Sequence, residues 1–583
     1  MPTKNLIILS LLIILLLCLR LSIILFSFDN IYPGTDDLSR GTLAKEIIAG
    51  RLTLPLFDYL EPAEYEGGWF ISPISAVPFF LIFGDSYFSL KLVAVFYSII
   101  TFIFWYILLI RFFNPRIALF WSLLFILSPP FYTIISLIFW GKHTEYYFFT
   151  ALFFIFFFKI FFQDGLQKTK ARTWIIFGLL SGLSFWIIQS NAIVLVTCFL
   201  IFFITDTKFF FKKPFLIYTL SFLVGYSPEI YHFFTRHWQY EAYCFNILTY
   251  YPIGEEFTRW LPKLSKLLFI HLPQSFMFKY GIISYFYYLF FLISFFYLLW
   301  LNRKTLLKII RFLLTPITLK KVQIRPQDIS SELPFLFYFL AYLLIYTIGG
   351  YSVWEWAEGL NRYIYFSIIY PVVFLIIAFF LNRLWELHKK KIAIVFICFF
   401  ALLGLYANIN LISFRNFGGP LKEKGYSSYY ELGCMISEPR TIKGVEVVLG
   451  HLRWINPQYA PDFFMGIGTG MGYLNKTVTY GVAEILALFS KIPQKYQIYL
   501  YQGWGRGLGP NELFLNNPTA TTKTFAQINV AIDDKYKQSF YRGIGEGLGL
   551  VDIDEQKRSA FILNTIDKKY WPWVMSGLKD AKR

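Results

Sequence analysis

The chain has 583 residues and a formal net charge of +18, yet only 15% of its residues are charged, while 56% are hydrophobic and 21% aromatic. Soluble domains carry about 25% charge, so this balance excludes an ordinary soluble fold and selects a polytopic membrane protein. The Lys and Arg cluster at the ends of apolar runs, where positive residues hold one side of a bilayer, which argues against a nucleic-acid partner.

A membrane crossing needs about 20 apolar residues. The first apolar run, 6–26, exceeds the roughly 7–15 residues of a signal-peptide core, and no Ala-x-Ala site follows it. It reads as a retained span at 5–27, in which Arg20 is expected to snorkel. Further spans are predicted at 87–111, 115–138, 144–162, 173–189, 191–206, 214–234, 279–301, 334–350, 363–382 and 392–409, about eleven in all. Basic segments at 111–116, 159–172, 208–213, 303–325 and 383–391 alternate with them. With these in the cytoplasm, the N-terminus is cytoplasmic. Loop 28–68, the turn 140–145, the loops 235–278 and 351–362, and everything beyond about 410 are then extracytoplasmic. The apolar stretch 69–84 is short and holds Pro73 and Pro78. It is expected to lie at the outer surface as an interfacial or re-entrant helix, completing an external region 28–86. The fold class is therefore all-α: a transmembrane domain over 1–410 and a polar C-terminal domain over 411–583.

The C-terminal part carries an internal repeat. Tyr459, Tyr496, Tyr536 and Tyr570 each precede a glycine by seven residues, and Ile455, Ile492, Ile532 and Ile566 each stand four before the Tyr. The units, near 455–491, 492–531, 532–565 and 566–583, begin 37, 40 and 34 residues apart, a period typical of stacked helical arrays. Three carry Gly-x-Gly-x-Gly-x-Gly, at 466–472, 503–509 and 543–549. A phosphate-binding loop would need a strand before the glycines, and the preceding segments read as polar-aromatic helix. Close helix packing is the better explanation. The five Cys (Cys18, Cys198, Cys244, Cys398, Cys434) show no paired spacing, so neither a disulfide framework nor a zinc site is expected.

Loop 28–68 holds eight acidic residues, offset by Arg40, Lys45 and Arg51 alone. Asp36 and Asp37 are adjacent and open a helix-like stretch, where one bland role is to cap its free N–H groups. A second polar group, Gly141-Lys142-His143-Thr144-Glu145, occupies the next external turn. A third, Glu355, Glu358, Asn361 and Arg362, precedes the span at 363–382; Arg362 alone could serve as an interfacial anchor. The fourth is Ser227-Pro228-Glu229 with His232. Ionisable groups at membrane depth are functional candidates. All four sets fall on one side by charge bias, which suggests a single outward cavity with acids for proton abstraction and cations for an anion.

This layout resembles the membrane glycosyltransferases of the GT-C fold, in particular the bacterial protein-mannosyltransferase-like and lipid A aminoarabinose-transferase-like branch. Asp36-Asp37, then Arg40 and Ala44-Lys45-Glu46, is similar to that family's acidic pair after span one. The stretch from Pro73 to Gly84, followed by Asp85-Ser86-Tyr87-Phe88-Ser89-Leu90-Lys91-Leu92, resembles its interfacial helix, turn and second span. The group 141–145 looks like its second external motif, 178–188 like its fifth-span Gly-Leu run, and Asn361-Arg362-Tyr363 with Pro371 like its late segment. The resemblance covers about residues 1–410. Two departures stand out: the pair is Asp-Asp where Asp-Glu is common, and the late segment has fewer basic residues. The C-terminal repeats are not a general family feature.

The resemblance implies an integral cell-membrane enzyme that transfers a sugar, with inversion, from a polyprenyl-phosphate donor to a hydroxyl of a lipid, glycan or protein acceptor. Asp36 would be the base and Asp37 its orienting partner, since a carboxylate beside another has its pKa raised. Lys142, His143 and Arg362, with Arg40, would face the donor phosphate, and Glu145 the sugar or acceptor hydroxyls. No cofactor is required; Mg²⁺ or Mn²⁺ is compatible with carboxylates and phosphate oxygens, although no spacing demands a metal. Membrane lipids surround the spans, and the repeats suit a protein partner. A multi-span transporter or flippase, and a membrane-anchored repeat scaffold, are the alternatives.

Overall fold

The computed structural model describes residues 3–27, 35–51, 68–141, 145, 147–236, 261–314, 324–348, 364–413, 428–437, 445, 457–472, 481–509, 518–550, 561 and 564–581. Among these, every regular element is helical and no strand occurs. The chain is an all-α polytopic membrane protein. Five helices are long and apolar enough to cross a bilayer, Thr3–Phe26, Phe88–Phe112, Gly281–Leu301, Phe366–Glu386 and Lys390–Ile412, and shorter apolar helices accompany them.

The first is α1 (Thr3–Ser27). Within the acidic loop lies α2 (Thr35–Ile48), and past it α3 (Gly68–Phe83), which keeps Pro73 and Pro78 inside a continuous helix. A turn at Gly84, with φ of +83°, leads into α4 (Tyr87–Phe112). The Ser86 side chain caps that helix by accepting from the Ser89 N–H, one of the donors a helix start leaves unsatisfied. The span expected at 115–138 is divided: α5 (Pro115–Ile126) ends ahead of Pro129-Pro130, and a short α6 (Pro130–Ile135) follows. Proline disfavours helix in the residue before it, which accounts for the break. Then come α7 (Phe148–Phe158), α8 (Ala171–Ile187), α9 (Ala192–Thr205), α10 (Lys213–Gly225) and α11 (Ser227–Arg236), the last pair interrupted just ahead of Pro228. The membrane part closes with α12 (Gly281–Leu301), α13 (Arg303–Leu314), α14 (Leu333–Ile348), α15 (Tyr370–Glu386) and α16 (Lys390–Ser413).

Helix α15 is the centre of the bundle. Its residues from Tyr370 through Asn382 are all buried. Trp121 of α5 donates to the Pro371 carbonyl at 2.9 Å. Glycines bring α8 and α10 to backbone contact: a Cβ at Gly182 of α8 would stand 2.0 Å from the Phe222 carbonyl, and one at Gly225 of α10 would stand 2.1 Å from that of Leu179. Small residues let membrane helices approach to backbone contact. Arg20 does not snorkel. It is fully buried and turned inward, donating to Ser128 Oγ at 3.1 Å and the Ile126 carbonyl at 3.4 Å. The break between α5 and α6 leaves carbonyl oxygens that need donors, and Arg20 supplies them.

The C-terminal residues form α17 (Ser428–Ser437), α18 (Ala460–Gly472), α19 (Val482–Ser490), α20 (Gln494–Leu508), α21 (Pro518–Ala531), α22 (Asp534–Leu550) and α23 (Trp571–Ala581). Helices α17, α18, α20, α22 and α23 lie side by side in that order. The alternating glycines explain how. Residues two apart on a helix point to nearly opposite sides. So Gly503 of α20 meets the Met465 carbonyl of α18, while Gly505 meets the Phe540 carbonyl of α22. In α22, Gly543 meets Gln502 of α20 and Gly545 meets Val574 of α23. Gly503 facing Met465 and Gly507 facing Thr469 show that neighbours run in the same direction. The ring pairs Tyr429–Tyr459, Phe464–Tyr496, Tyr501–Tyr536 and Tyr541–Tyr570 stack at 4.1–4.8 Å along the row.

Candidate functional site

Helix α2 begins the site. Its sequence TDDLSRGTLAKEII carries little apolar surface, and at 14 residues it is marginal as an isolated helix. Its position must come from contacts. Gly41 admits the Leu90 side chain of α4, where a Cβ would stand 2.9 Å from Leu90 Cδ1, and Lys45 pairs with Asp85 at 3.2 Å. Asp36 sits in the first turn of α2.

Asp37 and Arg40 are buried, at 3% and 0% exposure. Glu145, just past the Gly141 turn, is buried as well. Gly141 joins these two regions. Its N–H donates to Glu145 Oε1 at 2.9 Å, and its carbonyl accepts from Ser72 Oγ of α3 at 2.8 Å. A Cβ at Gly141 would stand 1.9 Å from Arg40 Nε, so the Arg40 side chain lies flat on this turn. The φ of +78° at Gly141 is the left-handed region that glycine enters without penalty. The structure thus brings together Arg40 and Glu145, two of the expected site residues, with Asp37 one helical turn before Arg40. Tyr147 shares a hydrogen bond of 2.7 Å with Ser367, tying this turn to the segment Ile364–Ile369.

Lys142, His143 and Arg362 lie outside the described residues, as does the side chain of Asp36. Glu229 is half-buried on α11, which packs on α8 and α10.

Lys91 is the residue the sequence reading passed over as a site candidate. It is buried at 2% exposure, in the second turn of α4, and interacts electrostatically with Asp37. A lysine inside an otherwise apolar span was the available signal, because a buried ammonium needs a partner. Among the described residues, no three His, Cys, Asp or Glu side chains gather as a metal-ligand set.

The far end of α2 is held differently. Glu46 is fully buried and accepts from Arg51 Nη2 at 3.0 Å and from the hydroxyl of Tyr429 on α17. Hydrogen bonding to Glu46 raises the pKa of Arg51, and burial, followed by Glu46, raises that of Tyr429. The arrangement is a buried cluster of both signs at the ends of several spans, suited to binding an anion and to moving a proton.

No family model matches this chain, and no curated protein matches it. Among solved structures, it is similar to the crystal structure of an Archaeoglobus fulgidus oligosaccharyltransferase in complex with zinc and sulfate, at 15% identity and a TM-score of 0.40. The match covers 73% of this chain and 55% of the archaeal one, so the chain spans about half the length of that protein. A likeness this distant assigns no family, and the functional reading rests on the residues themselves.

Proposed function

We propose that this chain is an integral membrane glycosyltransferase of the GT-C type, transferring a sugar from a polyprenyl-phosphate donor to an acceptor hydroxyl on the extracytoplasmic side, with inversion. The observation that carries this reading is the burial of Arg40 and Glu145 against Gly141, with buried Asp37 one helical turn before Arg40, where a short helix between two spans meets the next turn.

The chemistry assigns the parts. The acceptor oxygen attacks the anomeric carbon, its proton passes to a carboxylate, and the bond to the donor phosphate breaks with its electron pair leaving on the phosphate oxygen. Asp36 is the proposed base, and Asp37, which interacts with the buried cation Lys91, its orienting partner. Positive groups stabilise the charge that develops on the leaving phosphate. Arg40 offers a planar fork suited to it, with Lys142, His143 and Arg362 as its proposed companions. Glu145 accepts from the Gly141 N–H and shapes the turn that backs Arg40.

The purified protein in proteoliposomes, given a polyprenyl-phosphate donor carrying a radiolabelled sugar and an envelope-lipid extract as acceptor, tests this. Label covalently joined to a new product supports the enzyme. Label that crosses the membrane unchanged favours the transporter reading instead.

A further inference from the structure

We propose that the C-terminal helical row is a clamp on the acid-bearing helix, acting through a latch of Glu46 and Tyr429, and that it sets the geometry of the site. The catalytic part of this inference rests on the proposed glycosyl transfer; the clamp itself does not.

Besides its contacts with Leu90 and Asp85, helix α2 is held by two buried polar contacts. Near its start, Arg40 lies against Gly141. Six residues later, about 9 Å along the axis at 1.5 Å per residue, Glu46 is fully buried and receives both Arg51 and Tyr429. The first contact belongs to the membrane domain. The second comes from a residue almost four hundred positions away in sequence. A helix of α2's length and polarity has little stability of its own, so losing either contact loosens it.

Tyr429 is itself anchored. Its ring stacks on Tyr459 of α18 at 4.6 Å with an interplanar angle of 14°. Its helix α17 is locked to α18 by Gly433, where a Cβ would stand 2.2 Å from the Phe463 carbonyl. The next residue, Tyr430, lies under the Arg506 guanidinium of α20 at 4.9 Å and donates to Thr469 Oγ1 at 3.1 Å. The hydroxyl that reaches Glu46 is therefore presented by the first member of a close-packed row. A buried carboxylate strongly favours keeping its donors, since removing one leaves charge without compensation. Tyr429 and Glu46 are thus positioning residues: they touch the helix that carries Asp36, Asp37 and Arg40.

The test uses the full chain in nanodiscs. Hydrogen exchange over residues 35–48 is compared in wild type, Tyr429→Phe, Glu46→Gln and Tyr541→Phe. Tyr541 forms the equivalent stack at the far end of the row, with Tyr570, and serves as control. Tyr429→Phe deletes only the hydroxyl. It should speed exchange in this helix roughly tenfold, the effect of one hydrogen bond to a charged group. Glu46→Gln keeps an acceptor for Tyr429 and should fall between. Tyr541→Phe should leave the helix unchanged. In the transfer assay, Tyr429→Phe should lower kcat with little change in donor KM, because the site is misaligned rather than removed. Unchanged exchange in Tyr429→Phe, or an equal change in Tyr541→Phe, overturns the clamp. Faster exchange in a wild-type background that transfers no sugar leaves the clamp standing and removes the glycosyl-transfer reading.

Discussion

The Gly141 backbone lies against the Arg40 side chain, with room for no atom between them: a Cβ at 141 would stand 1.9 Å from Nε and 2.4 Å from Cδ. One contact thus fixes both helix α2 and the turn at Gly141. Gly141→Ala should destabilise the protein by about 2 kcal/mol or more, from left-handed backbone strain and overpacking together. Thermal unfolding of the purified protein measures it. Adding Arg40→Ala should recover the overpacking part and not the strain.

Asp37 and Lys91, in the second turn of α4, are both buried, carry opposite charge and interact electrostatically. Removing one member of such a pair strands the other. Asp37→Asn should therefore cost about 3–5 kcal/mol, while Asp37→Asn with Lys91→Met should cost much less. A double-mutant cycle on unfolding free energies reads the coupling, and additive effects would show that the two groups do not depend on each other.

The glycine rows make a graded prediction. Gly505→Ala would place a Cβ 2.0 Å from the Phe540 carbonyl, so α20 and α22 must separate. A loss of about 1–3 kcal/mol is expected, as for other overpacked cores. Gly281, at the start of α12, has nothing within 4 Å of its Cβ position, and Gly281→Ala should be near neutral. Unfolding midpoints of the two variants, side by side, give the comparison.

Much of the helix layout was legible in the sequence because apolar runs are local signals. The runs at 87–111 and 279–301 appear as helices Tyr87–Phe112 and Gly281–Leu301, whereas the spans expected unbroken at 115–138 and 214–234 are each divided, beside Pro129 and Pro130 and at Pro228. What remained hidden is pairing at long range. Lys91 reads as one residue of an apolar span until Asp37 is placed beside it. Glu46 reads as a solvated acid until Tyr429 arrives from the other end of the chain. Arg20 shows the same limit from the opposite side. Near the end of the first helix it fits a snorkelling cation, and only the break between α5 and α6 gives it inward partners.

The most direct measurement is covalent sugar transfer in proteoliposomes by Asp36→Asn against wild type, with thermal unfolding recorded for both. The account predicts at least a hundredfold loss of rate, the scale of a missing general base, with unfolding unchanged. An Asp36→Asn protein that transfers sugar as fast as wild type would contradict it.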